Sequence, residues 1–165
     1  MNFPQYSTTA LEDWVSNWYM KNNFQFPADL KLRKIAMKYE IFIHYRQMES
    51  RYVRFGRYKE IVLNTALDKL VQREQFFHEF CHAIRHAGKQ TMMAEAFREL
   101  QERDARHFTL YAALPHHMIK RYDLNDPELL ERWAFDFKVS YELCEERLEQ
   151  IRRRSSCTNI WSVSY

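Results

Sequence analysis

Between residues 66 and 86 the apolar side chains Leu67, Leu70, Val71, Phe77, Cys81 and Ile84 return at roughly the helical period, and no proline interrupts them. The pattern predicts one helix ending in the basic Arg85-His86 turn. Gly88 suits the left-handed residue just past its end, and Lys89 and Gln90 begin a loop. A second helix is predicted over 92–114, closed by Pro115. Upstream, 11–19 and 28–37 read as amphipathic helices. Three short strand candidates then follow at 41–45, 52–55 and 60–63, rich in β-branched and aromatic residues, with Gly56 in the turn between the last two. Past Pro115, Asp126 is placed as an N-cap with Pro127 in the first turn. Helices are expected over 127–137 and 140–154, joined at a helix-turn-helix-like spacing across Lys138-Val139-Ser140. Two packed helices completing a core are favoured there over a DNA-reading module, and Arg152-Arg153-Arg154 reads as a solvated helix end. The tail, 155–165, is polar with Ile160, Trp161 and Val163 inserted.

The first long helix carries His78-Glu79-Phe80-Cys81-His82, an H-E-x-x-H motif. Residues four apart on a helix lie about 40° apart around the axis and about 6 Å along it, so both imidazoles reach one point while Glu79 stands beside them. That is half of a Zn²⁺ site with a general base attached. His86 is another four-residue step on. Eight residues of helix carry it about 12 Å from His78, so a cationic role at the helix C-terminus suits it better than ligation. His44, on a strand without partner spacing, reads as ordinary.

A catalytic zinc takes a third protein ligand and keeps one position open. Cys81 faces between the two histidines, and Cys144 and Cys157 form no C-x-x-C pair with it, so cysteine does not supply that ligand. The acidic candidates lie on the next helix. Glu102 shares a stripe with Ala105, Thr109 and Ala112, whose small side chains would let two helices approach closely. Asp104 is the rival: it falls on the stripe with Phe97, Leu100, Phe108 and Tyr111, where an unpaired carboxylate is costly and a cation relieves the cost. The two point about 200° apart and cannot both be ligands of one ion.

The run from Arg73 to His86 resembles the ImmA/IrrE type of bacterial and phage metallopeptidase. Residues 102–115 are similar to that family's E-x-x-A-N/D-x-F-A-x-x-L-L-x-P segment. In this register the resemblance places the metal-binding glutamate on Glu102, ahead of Asp104. Three positions depart from the pattern: Thr109 for Ala, Ala113 for Leu, and Arg106 for the usual Asn or Asp. A cation at 106 cannot accept a ligand histidine's hydrogen bond, which bears on the tuning of the site. The resemblance implies an α+β, mostly helical, zincin-like domain. A small three-stranded antiparallel sheet is expected before the H-E-x-x-H helix and further helices at the C-terminus, over 1–154 with 155–165 as a tail. It also implies zinc-dependent peptide hydrolysis, with Zn²⁺ on His78, His82 and Glu102 and with Glu79 as base and then acid. His107 and Tyr52 are candidate oxyanion donors. The implied partner is a protein substrate, a DNA-binding helix-turn-helix repressor of a phage or mobile element. The alternatives are a metal-poor scaffold that binds without cutting, or a DNA-binding regulator.

Composition narrows the field without changing it. The 165 residues are 46% hydrophobic and 16% aromatic, ample for one core. Two glycines exclude phosphate-cradling loops. A net charge of +3, without a dense basic stripe, gives little reason to expect nucleic acid. No secretory signal or membrane-spanning run is visible, and the three cysteines suit a reducing compartment, so the expected location is cytoplasmic.

Overall fold

Ile61, Val62 and Leu63 are wholly buried in succession, a run that fits only a strand covered on both faces. They occupy the centre of β3 (Tyr58–Asn64), the middle strand of a three-stranded sheet. The structure is a computed structural model and describes residues 6–86 and 94–160. Two compact units divide the chain: Ala28–Thr109 in one, and Met1–Pro27 with Leu110–Tyr165 in the other.

In the first unit, β1 (Phe42–Arg46) and β2 (Arg51–Phe55) flank β3 in the order β1-β3-β2. β2 pairs with β3 antiparallel, but β1 runs parallel to it, with His44 opposite Val62. The sheet is therefore mixed, correcting the expectation of an antiparallel one. The physical reason is apolar content: β3 needs cover on both faces and takes the centre, while β1 and β2 have exposed ends and become edges. Residues 47–50 step across the gap that β3 fills, and Asn64 N–H donates to Ser50 Oγ at 3.0 Å. Phe55 pairs with Tyr58, leaving Gly56-Arg57 as the turn. Gly56 has φ +59°, a conformation that costs a side-chain-bearing residue strain even though a Cβ there would meet nothing.

Before the sheet, the helix expected over 28–37 is a 3₁₀ turn at Pro27–Asp29 followed by α2 (Leu32–Met37). The Leu30 carbonyl between them accepts from Arg73 Nη2 at 2.8 Å, so it is taken by a side chain. After the sheet comes α3 (Lys69–Arg85), whose first turn is capped by Asp68 accepting from Leu70 N–H at 2.8 Å. Its buried face is Gln72, Phe76, Phe77, Phe80, Cys81 and His82. Leu70 is exposed instead, because the aromatic stripe wins the core: Phe76 stacks on Phe80, which meets Tyr39 and Phe108. The loop expected at Gly88, Lys89 and Gln90 and the helix start at Met92 lie outside the described residues. The next helix, α4, is described as Glu95–Ala113.

The second unit contains α1 (Ala10–Lys21), the end of α4, the short α5 (His116–Ile119), α6 (Leu129–Phe137) and α7 (Tyr141–Ile160). Thr9 and Glu12 form a capping box at the start of α1. The same Glu12 is buried and receives Arg147, Arg154 (3.0 Å) and the Tyr6 hydroxyl (2.6 Å). Arg154 also reaches the Tyr111 hydroxyl at 2.7 Å, so the expected solvated end 152–154 is corrected at this residue: a buried carboxylate draws it inward. Asp126 accepts from Glu128 N–H at 3.0 Å, but this closes a turn before the helix: the N-cap is Glu128 and regular helix begins at Leu129, correcting the expected start with Asp126 as cap and Pro127 in the first turn. Lys138, at φ 56°, ends α6 in the left-handed conformation and Ser140 caps α7 through Leu143 N–H. Trp133, Phe137, Val139, Cys144 and Ile151 are wholly buried around this corner, as two core-completing helices require. Among the described residues no helix is long and apolar enough to cross a membrane. Trp161 and Val163 of the tail lie outside the described residues.

Candidate metal centre

Four residues of helix separate His78 from His82, and the structure turns that spacing into a convergence of donors. Their Nε2 atoms lie 3.2 Å apart. From α4, Glu102 Oε2 comes to 3.1 Å from His78 Nε2 and Glu102 Oε1 to 3.3 Å from His82 Nε2. Ligands at zinc's usual bond lengths of 2.0–2.2 Å in tetrahedral geometry stand about 3.3 Å from one another. The donor set therefore fits a divalent ion of that size, in both spacing and chemistry. His82 is buried, whereas His78 and Glu102 are partly open, which leaves a side for solvent or substrate.

On the Glu102 stripe of α4, Ala105 is wholly buried, and Thr109, also buried, turns its hydroxyl back to the Ala105 carbonyl at 2.8 Å. The His82 imidazole is held neutral, chiefly by burial, with His78 and His86 opposing a positive charge further and Glu102 pulling the other way. Neutral imidazole is the form that ligates metal.

Glu79 Oε2 accepts the Tyr52 backbone N–H at 2.8 Å, which ties the motif helix to the outer edge of β2. Burial pushes the Glu79 carboxyl up to about 7; the nearby Glu102 and Glu49 charges add to the rise and the Tyr52 N–H works against it. A cation held by the neighbouring histidines would pull that value down. Tyr52 thus serves the site through its main chain, a role that side-chain inventory does not reveal. His107, the other suggested oxyanion donor, is exposed on α4, as is Arg106.

Asp104 sits in a different cluster. Its Oδ2 lies 2.9 Å from His86 Nε2, 3.0 Å from Arg85 Nε and 3.8 Å from Cys81 Sγ. Far from being an unpaired carboxylate, it is held anionic: Arg85 and His86 together outweigh the burial that opposes its charge. Cys81, His86 and Asp104 also lie close enough to suggest a second cation site. A guanidinium already fills the carboxylate's valence there, and burial, then Asp104, pushes the Cys81 thiol far up. That environment keeps the thiol protonated and disfavours ligation. His86 neither ligates with His78 nor serves only as a helix-end cation: its Nδ1 lies 3.0 Å from His82 Nδ1. Beside it an open cleft of about 450 Å³ is lined by Arg85, His86, Phe97, Leu100, Gln101 and Asp104.

A helix carrying H-E-x-x-H, an edge strand beside the glutamate and an acid from the following helix together make a candidate metal site. Residues 36–149 match the IrrE N-terminal-like domain, the peptidase M78 family, and the chain belongs to that family. It is 33% identical over 148 residues to the phage-like element PBSX protein XkdA of Bacillus subtilis (strain 168), covering 88% of this chain and 75% of that one. It is 26% identical over 152 residues to the uncharacterized protein YqaB of the same organism, covering 91% and 88%. No solved structure matches with significance.

Proposed function

We propose that this chain is a zinc-dependent endopeptidase that cuts a DNA-binding repressor of a phage or mobile element. The observation that carries the reading is the triangle of His78, His82 and Glu102 donors at 3.1–3.3 Å, matched to one small ion. A zinc ion, when bound there, supplies Lewis acidity that polarises a peptide carbonyl and acidifies water. Glu79 takes the proton of the attacking water and passes it to the leaving nitrogen, base first and acid second. Its hydrogen bond from Tyr52 fixes the carboxylate's orientation for both transfers. The outer edge of β2, adjacent to Glu79, presents main-chain groups on which an extended substrate segment can align.

The repressor as substrate is supported by the family and by the phage-like element to which the relative XkdA belongs. The test is incubation of the zinc-loaded protein with helix-turn-helix repressors encoded beside its gene. Wild type should cut one of them at a defined bond and Glu79→Gln should not. Repressors left intact by zinc-loaded wild type would overturn the substrate assignment, and equal cutting by both proteins would overturn the role of Glu79.

A further inference from the structure

We infer that His86 and Asp104 form a hydrogen-bond relay that sets the tautomer and orientation of His82, making them positioning residues for the metal centre. The inference rests on the zinc reading above and deepens it.

Both ring nitrogens of His82 are engaged. Nε2 faces His78 and Glu102, and Nδ1 faces His86 Nδ1 at 3.0 Å. Two nitrogens at that distance need one proton between them, and the direction of the bond follows from the remaining contacts. His86 Nε2 lies 2.9 Å from Asp104 Oδ2, a carboxylate oxygen that can only accept while Arg85 holds its charge from the other side at 3.0 Å. In the neutral ring His86 therefore carries its proton on Nε2 and leaves Nδ1 as an acceptor. His82 donates its own Nδ1 proton to that acceptor, and its Nε2 lone pair is left pointing at the His78–Glu102 side. One carboxylate, working through a second imidazole, thus dictates which nitrogen of His82 can bind metal.

The arrangement has a clear local origin. His82 and His86 are one helical turn apart, so their rings meet at a centroid distance of 5.0 Å, and His86 occupies the C-cap of α3. Its backbone leaves the helical conformation there, at φ −109° and ψ 118°. Glu102 and Asp104 point to different sides of α4, so one helix supplies an acid to the metal side of His82 and another to its far side. Outer partners of this kind typically change metal affinity by about 10–100-fold when removed.

Substitution at His86 separates positioning from mere packing. In His86→Gln the carboxamide oxygen can accept from His82 Nδ1–H while its NH₂ donates to Asp104, so the relay keeps its polarity. His86→Leu fills the space but removes both bonds. Zinc affinity, measured by competition with a chromophoric chelator, should fall by about 10–100-fold in His86→Leu and recover most of that loss in His86→Gln. Equal affinity in wild type and His86→Leu would overturn the relay alone, whereas wild type failing to take zinc would overturn the metal reading and the relay with it. Should His86→Leu not fold, nitrogen NMR of the zinc-loaded wild type decides. Protons on His82 Nδ1 and His86 Nε2 are expected, and a proton on His86 Nδ1, with or without one on Nε2, overturns the inference.

Discussion

Tyr52 donates its backbone N–H to Glu79 Oε2 at 2.8 Å, so the one carboxylate of the H-E-x-x-H motif that faces away from ligation is held by the edge of the sheet. Glu79→Gln preserves that acceptor and removes a buried charge. The variant should fold with at least wild-type stability at pH 8 and keep its zinc, while turnover falls by about 10²- to 10⁴-fold. Zinc content, urea unfolding and the cleavage assay read the three parts separately; zinc loss in Glu79→Gln would contradict the division of roles.

Glu102 and Asp104 are two residues apart on one helix yet serve different partners. Glu102→Ala should abolish tight zinc binding. Asp104→Ala should weaken it by only about 10–100-fold, because His86 loses its anchor while the three donors stay. Zinc retained in the first and lost in the second would reverse the assignment.

In the other unit, Arg147 is wholly buried against Glu12, with Gln150 and the Leu114 carbonyl as further partners. Arg147→Met leaves a carboxylate without its chief counter-charge, and should destabilise by about 3–5 kcal/mol in urea unfolding. Glu12→Leu combined with Arg147→Met should cost less than Arg147→Met alone, since both wholly buried charges are then gone and only the part-exposed Arg154 loses a partner. A double variant weaker than the single would contradict this.

The same pair sets an acid limit. Burial opposes the Glu12 charge, but Arg147 and the other donors outweigh it and hold the carboxyl below its ordinary value. A depressed folded-state value means that the contribution is complete above the unfolded value, about pH 4.3, and fades as pH falls through the folded one. The stability gap between wild type and Glu12→Gln should therefore be constant from pH 7 to pH 5 and narrow below about pH 4.3. A gap that widens on acidification would contradict the ion pair.

The motif helix was readable from spacing because a helix converts sequence distance into a face; on the next helix spacing left both Glu102 and Asp104 open, and the family resemblance decided for Glu102. The strands were readable as short runs of β-branched and aromatic residues. Such runs mark where strands form but not which strand lies beside which, so the parallel pairing of His44 with Val62 was out of reach. The relay was hidden because His86 acquires its meaning only from Asp104 on another helix. Arg147 and Glu12, 135 residues apart, belong to the same category: neither residue carries a local sign of the other. Position 106, where an arginine replaces the family's usual Asn or Asp, looked like a defect in tuning; the His82 nitrogen that needs a partner is met by His86.

X-ray absorption at the zinc edge of the loaded wild-type protein bears on the central claim most directly. Two imidazole nitrogens and carboxylate oxygen at about 2.0–2.2 Å, with no sulfur, is the predicted coordination. A sulfur neighbour at about 2.3 Å would put the ion with Cys81, His86 and Asp104 and contradict the account.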